Sequence, residues 1–429
     1  MARGREHAVA GRRTRFPAGF GAVWGCVLID LVGFGIVLPI LPLWAERFGA
    51  SPGTIGALVA TYSAFQLVCA PLLGRLSDRI GRKPVLIVSL IGTAAGSLLT
   101  GLAGSLALVF LGRAIDGMSG GSVAVAQAAV ADLADEAERP KLLGFIGAAF
   151  GLGFVAGPAI GALAALGGPR TPFLVAAALA ACNAVVAIVR LPETRRAAPA
   201  SASGGGRRQA DVAAEGRPWE RDGAAEGGLA DAGQRRKRLA RLLLVAFTSL
   251  VAFSAFEATF ALFGERRLDL RLASTGAVFA GIGLAIVLAN TGLVAPAVRR
   301  LGELGALRLG LGLNAVGLAL LAATRSWALL VPALLALTAG QGLITPTLSS
   351  SVAGTVEADR RGGALGFQQA AGGLARVVGP LAGGFAFQRI GVPVPYAAGA
   401  ALAAICLLLV PRRARGGARE LPLPHARAR

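Results

Sequence analysis

Twelve apolar runs, each about as long as a bilayer core is thick, leave this chain few ways to fold. They lie near 20–43, 54–74, 84–104, 106–131, 141–166, 171–191, 241–263, 272–295, 304–323, 326–352, 363–388 and 392–410. About 20 helical residues cross the hydrocarbon core. No water is available there, so each segment must satisfy its own backbone N–H and C=O groups, and the runs predict helices. Charged residues make up 15% of the chain and the mean hydropathy is +0.65. Soluble domains carry about 25% charged residues. The expected fold class is an all-α membrane protein with 12 transmembrane helices.

Residues 192–240 break the pattern. They hold Ala, Gly, Ser, Arg and acids without apolar periodicity, and that composition predicts a disordered linker. The plan is a tail over 1–19, six spans over 20–191, the linker over 192–240, six spans over 241–410 and a tail over 411–429. The first run is too long for the apolar part of a secretory signal and contains Asp30, so it predicts a retained span.

The net charge of +20 does not point to nucleic acid, because the cations lie in tails and short loops. Arg3, Arg5, Arg12, Arg13 and Arg15 mark the first tail, and Arg75, Arg79, Arg82 and Lys83 mark the loop between spans two and three. Eleven Lys or Arg lie between Arg195 and Arg241. Arg299, Arg300 and Arg308 mark the 8–9 loop, and Arg412, Arg413 and Arg415 mark the end. The opposite loops are poorer, the main exception being Arg266, Arg267 and Arg271 with Glu265 and Asp269. Both tails and the linker are therefore expected in the cytoplasm.

The chain also repeats itself. At an offset of 222 residues, Leu143-Gly144-Phe145 matches Leu365-Gly366-Phe367, Gly157-Pro158 matches Gly379-Pro380, and Arg139, Gly151 and Gly161 match Arg361, Gly373 and Gly383. With one residue of slip, Arg79 and Gly81 match Arg300 and Gly302. Two pseudo-symmetric six-helix bundles around a central cavity are expected, with substrate at the repeat interface near midplane.

Three motifs carry a family resemblance. Gly74-Arg-Leu-Ser-Asp78-Arg79-Ile-Gly81-Arg82-Lys83 resembles the G-x-L-x-D-R-x-G-R-K/R loop of major facilitator transporters. Its glycines permit a tight turn, and Asp78 suits the N-terminus of another helix. The resemblance implies that this partner is the eleventh span, near Gly363, and that the contact is a cytoplasmic gate that breaks during transport. Arg113-Ala-Ile-Asp116-Gly117-Met-Ser-Gly120-Gly121 resembles the family's span-four element, which implies that Arg113 assists proton transfer. Arg113 and Asp116 stand one turn apart, so they can also neutralise each other. Gly153, Gly157, Pro158 and Gly161 in span five resemble the glycine-rich motif of the exporter branches, and small residues at this spacing let backbones approach closely. The first span, Leu28 to Pro42, looks like the first helix of the drug/proton antiporters, including tetracycline exporters, and Leu191-Pro192-Glu193-Thr194 looks like the family's exit from span six. In the second half, Arg299-Arg300-Leu-Gly302-Glu303 keeps the cations without the Asp.

Coupling chemistry needs titratable groups inside spans. Asp30, Asp116 and Glu257 are the acids there; Arg113 and Arg376 are the arginines well inside. A carboxyl at membrane depth can pass between charged and neutral forms, and such a residue marks a functional path. Glu257, amid Phe253, Phe256 and Phe260, is the first candidate proton carrier, then Asp30, then Asp116. Arg376 is a possible structural partner of Glu257 or Asp30. Gln66, Gln127, Asn290, Gln341 and Arg376 are candidate cavity residues, and the amides can equally bond helices together.

Several classes are excluded. Cys26, Cys69, Cys182 and Cys406 are scattered within apolar segments, and His7 and His425 lie in the tails, so no metal site or histidine relay is expected. No G-x-x-x-x-G-K-S/T loop marks a primary pump, and no nucleophile–base set marks an enzyme. The expectation is a monomeric secondary transporter of a bacterial inner membrane, exporting a small amphipathic compound or drug by alternating access. It needs no cofactor and draws on the proton gradient. A nutrient importer is the alternative, and a non-transporting membrane sensor a more distant one.

Overall fold

The computed structural model describes residues 16–134, 138–194, 222–357 and 360–410, and among these there is no strand. The first half comprises α1 (Phe20–Val37), α2 (Leu41–Glu46), α3 (Pro52–Ile80), α4 (Arg82–Leu102), α5 (Leu106–Ser119), α6 (Ser122–Leu133), α7 (Arg139–Ala165) and α8 (Thr171–Arg190). The second comprises α9 (Asp222–Leu268), α10 (Leu272–Gly292), α11 (Val294–Ala323), α12 (Trp327–Ala353), α13 (Arg361–Arg389) and α14 (Val394–Leu409). Eleven spans are long and apolar enough to cross a membrane, with α5 and α6 counted as one. The twelfth, α14, has 16 residues, or about 24 Å of helix. The expected twelve-span architecture is thus the fold of the chain.

Local chemistry sets several boundaries. Ser51 starts α3 by accepting a hydrogen bond from the Thr54 N–H at 3.3 Å, with Pro52 in the first turn. Span four breaks at Gly120–Gly121, and the Gly120 carbonyl at the break accepts from Gln66 Nε2 at 2.8 Å. The expected linker needs correcting at its C-terminal end, because α9 begins at Asp222 and carries ordered helix through Gln234–Arg238. Helix propagates from an established span into Ala, Arg and Lys at one bond per residue, without any apolar stripe. Residues 195–221 and both tails' outer parts (1–15 and 411–429) lie outside the described residues.

The repeat is visible in the packing. Gly157 of α7 lies against Gly35 of α1, and Gly379 of α13 lies against Val251 and Ser254 of α9. The helices that carry the two Gly-Pro motifs therefore clamp onto the first helix of their own bundle.

The bundles meet through two helix pairs, α3 with α13 and α7 with α10. A Cβ on Gly56 would collide with the Pro380 carbonyl, and one on Gly283 with the Phe154 carbonyl. Gly276 lies against Ala162, and Ser51 Oγ and the Gly53 N–H both donate to Gln388 Oε1 at 3.0 Å. Except for Gly283 with Phe154, which lies near mid-span, these contacts are toward the end opposite the 2–3 and 8–9 loops, called here the far end. Midway, Gly373 still meets Leu67 and Gly151 meets Val287. Beyond them, Gly74, Gly144, Gly147, Gly292, Gly362, Gly363 and Gly366 of the same four helices have nothing within 4 Å of an added Cβ. The interface is closed at the far end and splayed at the end of the loops and linker.

Candidate functional site

The polar groups inside the spans gather around α3. Arg113 and Asp116, one turn apart on α5, form an ion pair of 2.6 Å and are only 2% and 7% exposed. The Arg113 guanidinium also lies over the Tyr62 ring, 4.5 Å from its centroid. This pair neutralises its own charge, although Arg113 Nε is buried without a hydrogen-bond partner, and it is locked against α3, where Gly117 abuts the Tyr62 backbone. Asp30 of α1 is half-buried and accepts from Ser122 Oγ at 2.6 Å, directly after the break in span four. A broken helix in mid-membrane places a hydroxyl and free backbone groups where ions and substrates are handled.

Glu257 of α9 is half-buried, while Phe253, Phe256 and Phe260 around it are buried. Arg376 of α13 is the cation whose field reaches it. The field of Arg376 also reaches Tyr62 in the other bundle. Arg376 is exposed and stands between the halves. Glu257 and Asp30 are thus the two acids inside the described spans with no arginine bonded to them, and Arg376 is the charge both bundles share.

Other expected residues divide. Gln66 bonds Gly120 and also reaches the Tyr62 hydroxyl at 3.2 Å, so it acts as interhelical glue. Gln341 accepts from Asn314 at 3.4 Å inside the second bundle. Gln127 is half-buried on α6 and Asn290 exposed on α10. Gly153, Gly157 and Gly161 pack on Leu31, Gly35 and Ile36 of α1, and Pro158 reaches Gly35, so this motif seats α1 within its own bundle.

The basic loop is organised around Arg82. Its guanidinium bonds Asp78 at 2.5 Å, Asp132 of α6 at 2.9 Å and Ser77 at 2.6 Å. The Glu193 carboxylate accepts from the Arg82 and Lys83 N–H groups at 2.9 and 3.2 Å, capping α4 where its dipole favours an anion. Gly81 is needed twice over: its φ is 110°, and a Cβ there would strike Glu193. Asp78 keeps a side chain 60% exposed. The expected contact of Asp78 with the start of α13 is not made here, because that end of the interface is splayed and the first turn of α13 is open.

Tyr62, Ser122, Asp132 and the Glu193 cap were not legible as site residues. Tyr62 had a signal available, as one of two tyrosines in the chain and within a span. The other, Tyr396, is buried and bonded to Thr259 at 3.1 Å.

Known proteins agree with this architecture. The chain matches the Major Facilitator Superfamily over residues 23–324 and again over 293–428. It is 32% identical to the class C tetracycline resistance protein of Escherichia coli, over 84% of this chain and 87% of that protein. It is 30% identical to the human major facilitator superfamily domain-containing protein 10, over 83% and 84% of the two chains. The crystal structure of the human organic anion transporter MFSD10 superposes with a TM-score of 0.65 at 27% identity, covering 92% of this chain and 99% of that one. The nucleoside transporter NupG, at 14% identity, shares the fold with a TM-score of 0.68 over 91% and 97%. With these matches spanning both bundles, the chain belongs to the major facilitator superfamily.

Proposed function

We propose that this protein is a proton-coupled exporter of a small amphipathic compound, working by alternating access in a bacterial inner membrane with both termini cytoplasmic. The observation that carries the reading is the pair of span acids, Asp30 and Glu257, one in each bundle and neither bonded to an arginine. Each can hold a proton or face a substrate, and Arg376 between the bundles can answer either change of charge. The positive-inside bias makes the splayed end cytoplasmic, so the cleft stands ready to load from inside. The tetracycline resistance relatives support export, and the organic anion transporter supports an amphipathic, charged cargo. Protons and substrate alternate at the same acids, and the proton gradient supplies the energy.

Everted vesicles energised with a proton gradient test this. They should accumulate tetracycline or an organic anion, and Glu257→Gln should abolish the accumulation while the protein stays in the membrane. Unchanged coupled transport by that variant would remove Glu257 from the mechanism. Accumulation only in right-side-out vesicles would make the protein an importer.

A further inference from the structure

At the far end, two carboxyl groups and one guanidinium meet across the bundle interface. Glu46 ends α2 in the first bundle, and Glu265 and Arg266 stand near the end of α9 in the second. Arg266 Nη2 lies 3.7 Å from Glu46 Oε1, and its guanidinium sits over the Phe387 ring of α13, 5.0 Å from the centroid. The Glu265 carboxyl is within hydrogen-bonding reach of the Glu46 carboxyl. Two carboxylates cannot hydrogen-bond each other unless one carries a proton. We propose that Glu46 and Glu265 bind one proton between them across the interface, and that this proton holds the far end of the transporter shut. It follows from the surface cluster alone and does not require proton-coupled export.

The charges near Glu46 are few. On its own element Arg47 is drawn over the Trp44 ring, 5.7 Å from the centroid. Among the described residues, α9 contributes Glu265 and Arg266, while Arg267 turns to the Thr324 carbonyl. The first two turns of α3 carry no titratable side chain, and α13 contributes Phe387 and Gln388, the latter bonded to Ser51 and Gly53. With one proton, the three groups sum to zero charge. Without it, the Glu46 and Glu265 carboxylates repel each other across the seam, and the single Arg266 cation offsets only part of that. Burial, first, and the neighbouring Glu265 push the Glu46 carboxyl up to about 7, against a smaller pull from Arg266. The closed far end therefore binds the proton more tightly than an open one would. Closure is favoured in acid and is lost as pH rises through about 7.

The full-length protein in lipid nanodiscs can test this by double electron–electron resonance. Cys26, Cys69, Cys182 and Cys406 are replaced by Ala, and spin labels are placed at Leu166→Cys and Ile390→Cys, exposed positions at the far ends of α7 and α13. The long-distance population should grow at least about tenfold from acid to alkaline buffer, the change that one pKa unit is worth. Its midpoint should fall near pH 7. Glu46→Gln and Glu265→Gln each leave a single carboxylate beside Arg266, so both should hold the short distance at every pH. A distance distribution that ignores pH in the parent overturns the proposal. So does an undiminished pH response in Glu46→Gln.

Discussion

The 2–3 and 8–9 loops occupy equivalent places in the two halves, and they solve one problem with opposite charges. Each turns on a glycine with positive φ, Gly81 at 110° and Gly302 at 73°. Each is tied to the fourth span of its bundle, by Arg82 to Asp132 in the first half and by Ser350 donating to Glu303 at 2.5 Å in the second. Each is tied to the end of the sixth span as well. In the first half the Glu193 carboxylate caps the N-terminus of α4; in the second, Arg308 donates to the Leu407 and Val410 carbonyls at the C-terminus of α14. Both are favourable pairings of charge with helix dipole. The duplication thus preserved the connections and exchanged the chemistry. What has no counterpart is Asp78, because the second half carries arginine at the equivalent place, Arg299 or Arg300. Beyond its bond to Arg82, Asp78 is the part of the loop that the second half does without, and so the one to test for gating.

The largest break in the comparison should come from Asp78. In a conformation closed at the linker end, its carboxylate can face the open first turn of α13, which begins at Arg361. A latch worth about 1.4 kcal/mol shifts that equilibrium about tenfold. Asp78→Asn should lower transport by about that factor with topology unchanged, whereas Glu303→Gln should stay within about twofold. Transport assays on both variants, with cysteine labelling of loop orientation, decide it. Normal transport by Asp78→Asn would reduce the loop to a topogenic signal.

A smaller effect separates the two turn glycines. Both have positive φ with extended ψ, 156° at Gly81 and 172° at Gly302, a region essentially reserved for glycine that costs another residue about 1–3 kcal/mol. Gly302→Ala should pay about that, since φ is its constraint. Gly81→Ala should cost more, because its Cβ also meets the Glu193 carboxylate and must displace the α4 cap. Thermal unfolding in detergent should rank Gly81→Ala below Gly302→Ala, and the reverse order would mean that the Glu193 cap is dispensable.

How much of this was legible in the sequence follows from separation along the chain. Arg113 and Asp116 could be paired by helix geometry because they are one turn apart. The spans and the duplication were legible because apolar length and glycine spacing are local. Asp30 with Ser122, Glu193 with α4, and Glu46 with Arg266 join residues far apart, and nothing in the local pattern marks the partners. Glu265 and Arg266 stood out only as exceptions to the loop-charge bias, and the fold explains the exception by placing them at the bundle seam. The polar stretch before span seven was misread for another reason: helix propagation needs no apolar face once a span has nucleated it.

The smallest predicted effect is the most direct test of the exchanged chemistry. If Glu193 and Arg308 do equivalent work with opposite sign, removing either should cost a similar amount, about 1 kcal/mol for a lost helix-end interaction. Glu193→Gln keeps one acceptor for the Arg82 N–H but sets an amide NH2 where the second oxygen met the Lys83 N–H, so it loses charge and a bond together. Arg308→Gln keeps an NH2 with two N–H donors for the two carbonyls, on a shorter side chain, and loses the charge. The two variants should therefore lie within a few tenths of a kcal/mol of each other. Added salt should narrow the deficit of Glu193→Gln, whose cap is exposed, and should change Arg308→Gln less, because Arg308 is half-buried. Unfolding midpoints of both variants at low and high ionic strength measure this. Equal salt responses would show that the two halves hold their loops by hydrogen-bond geometry, with the exchanged charges incidental.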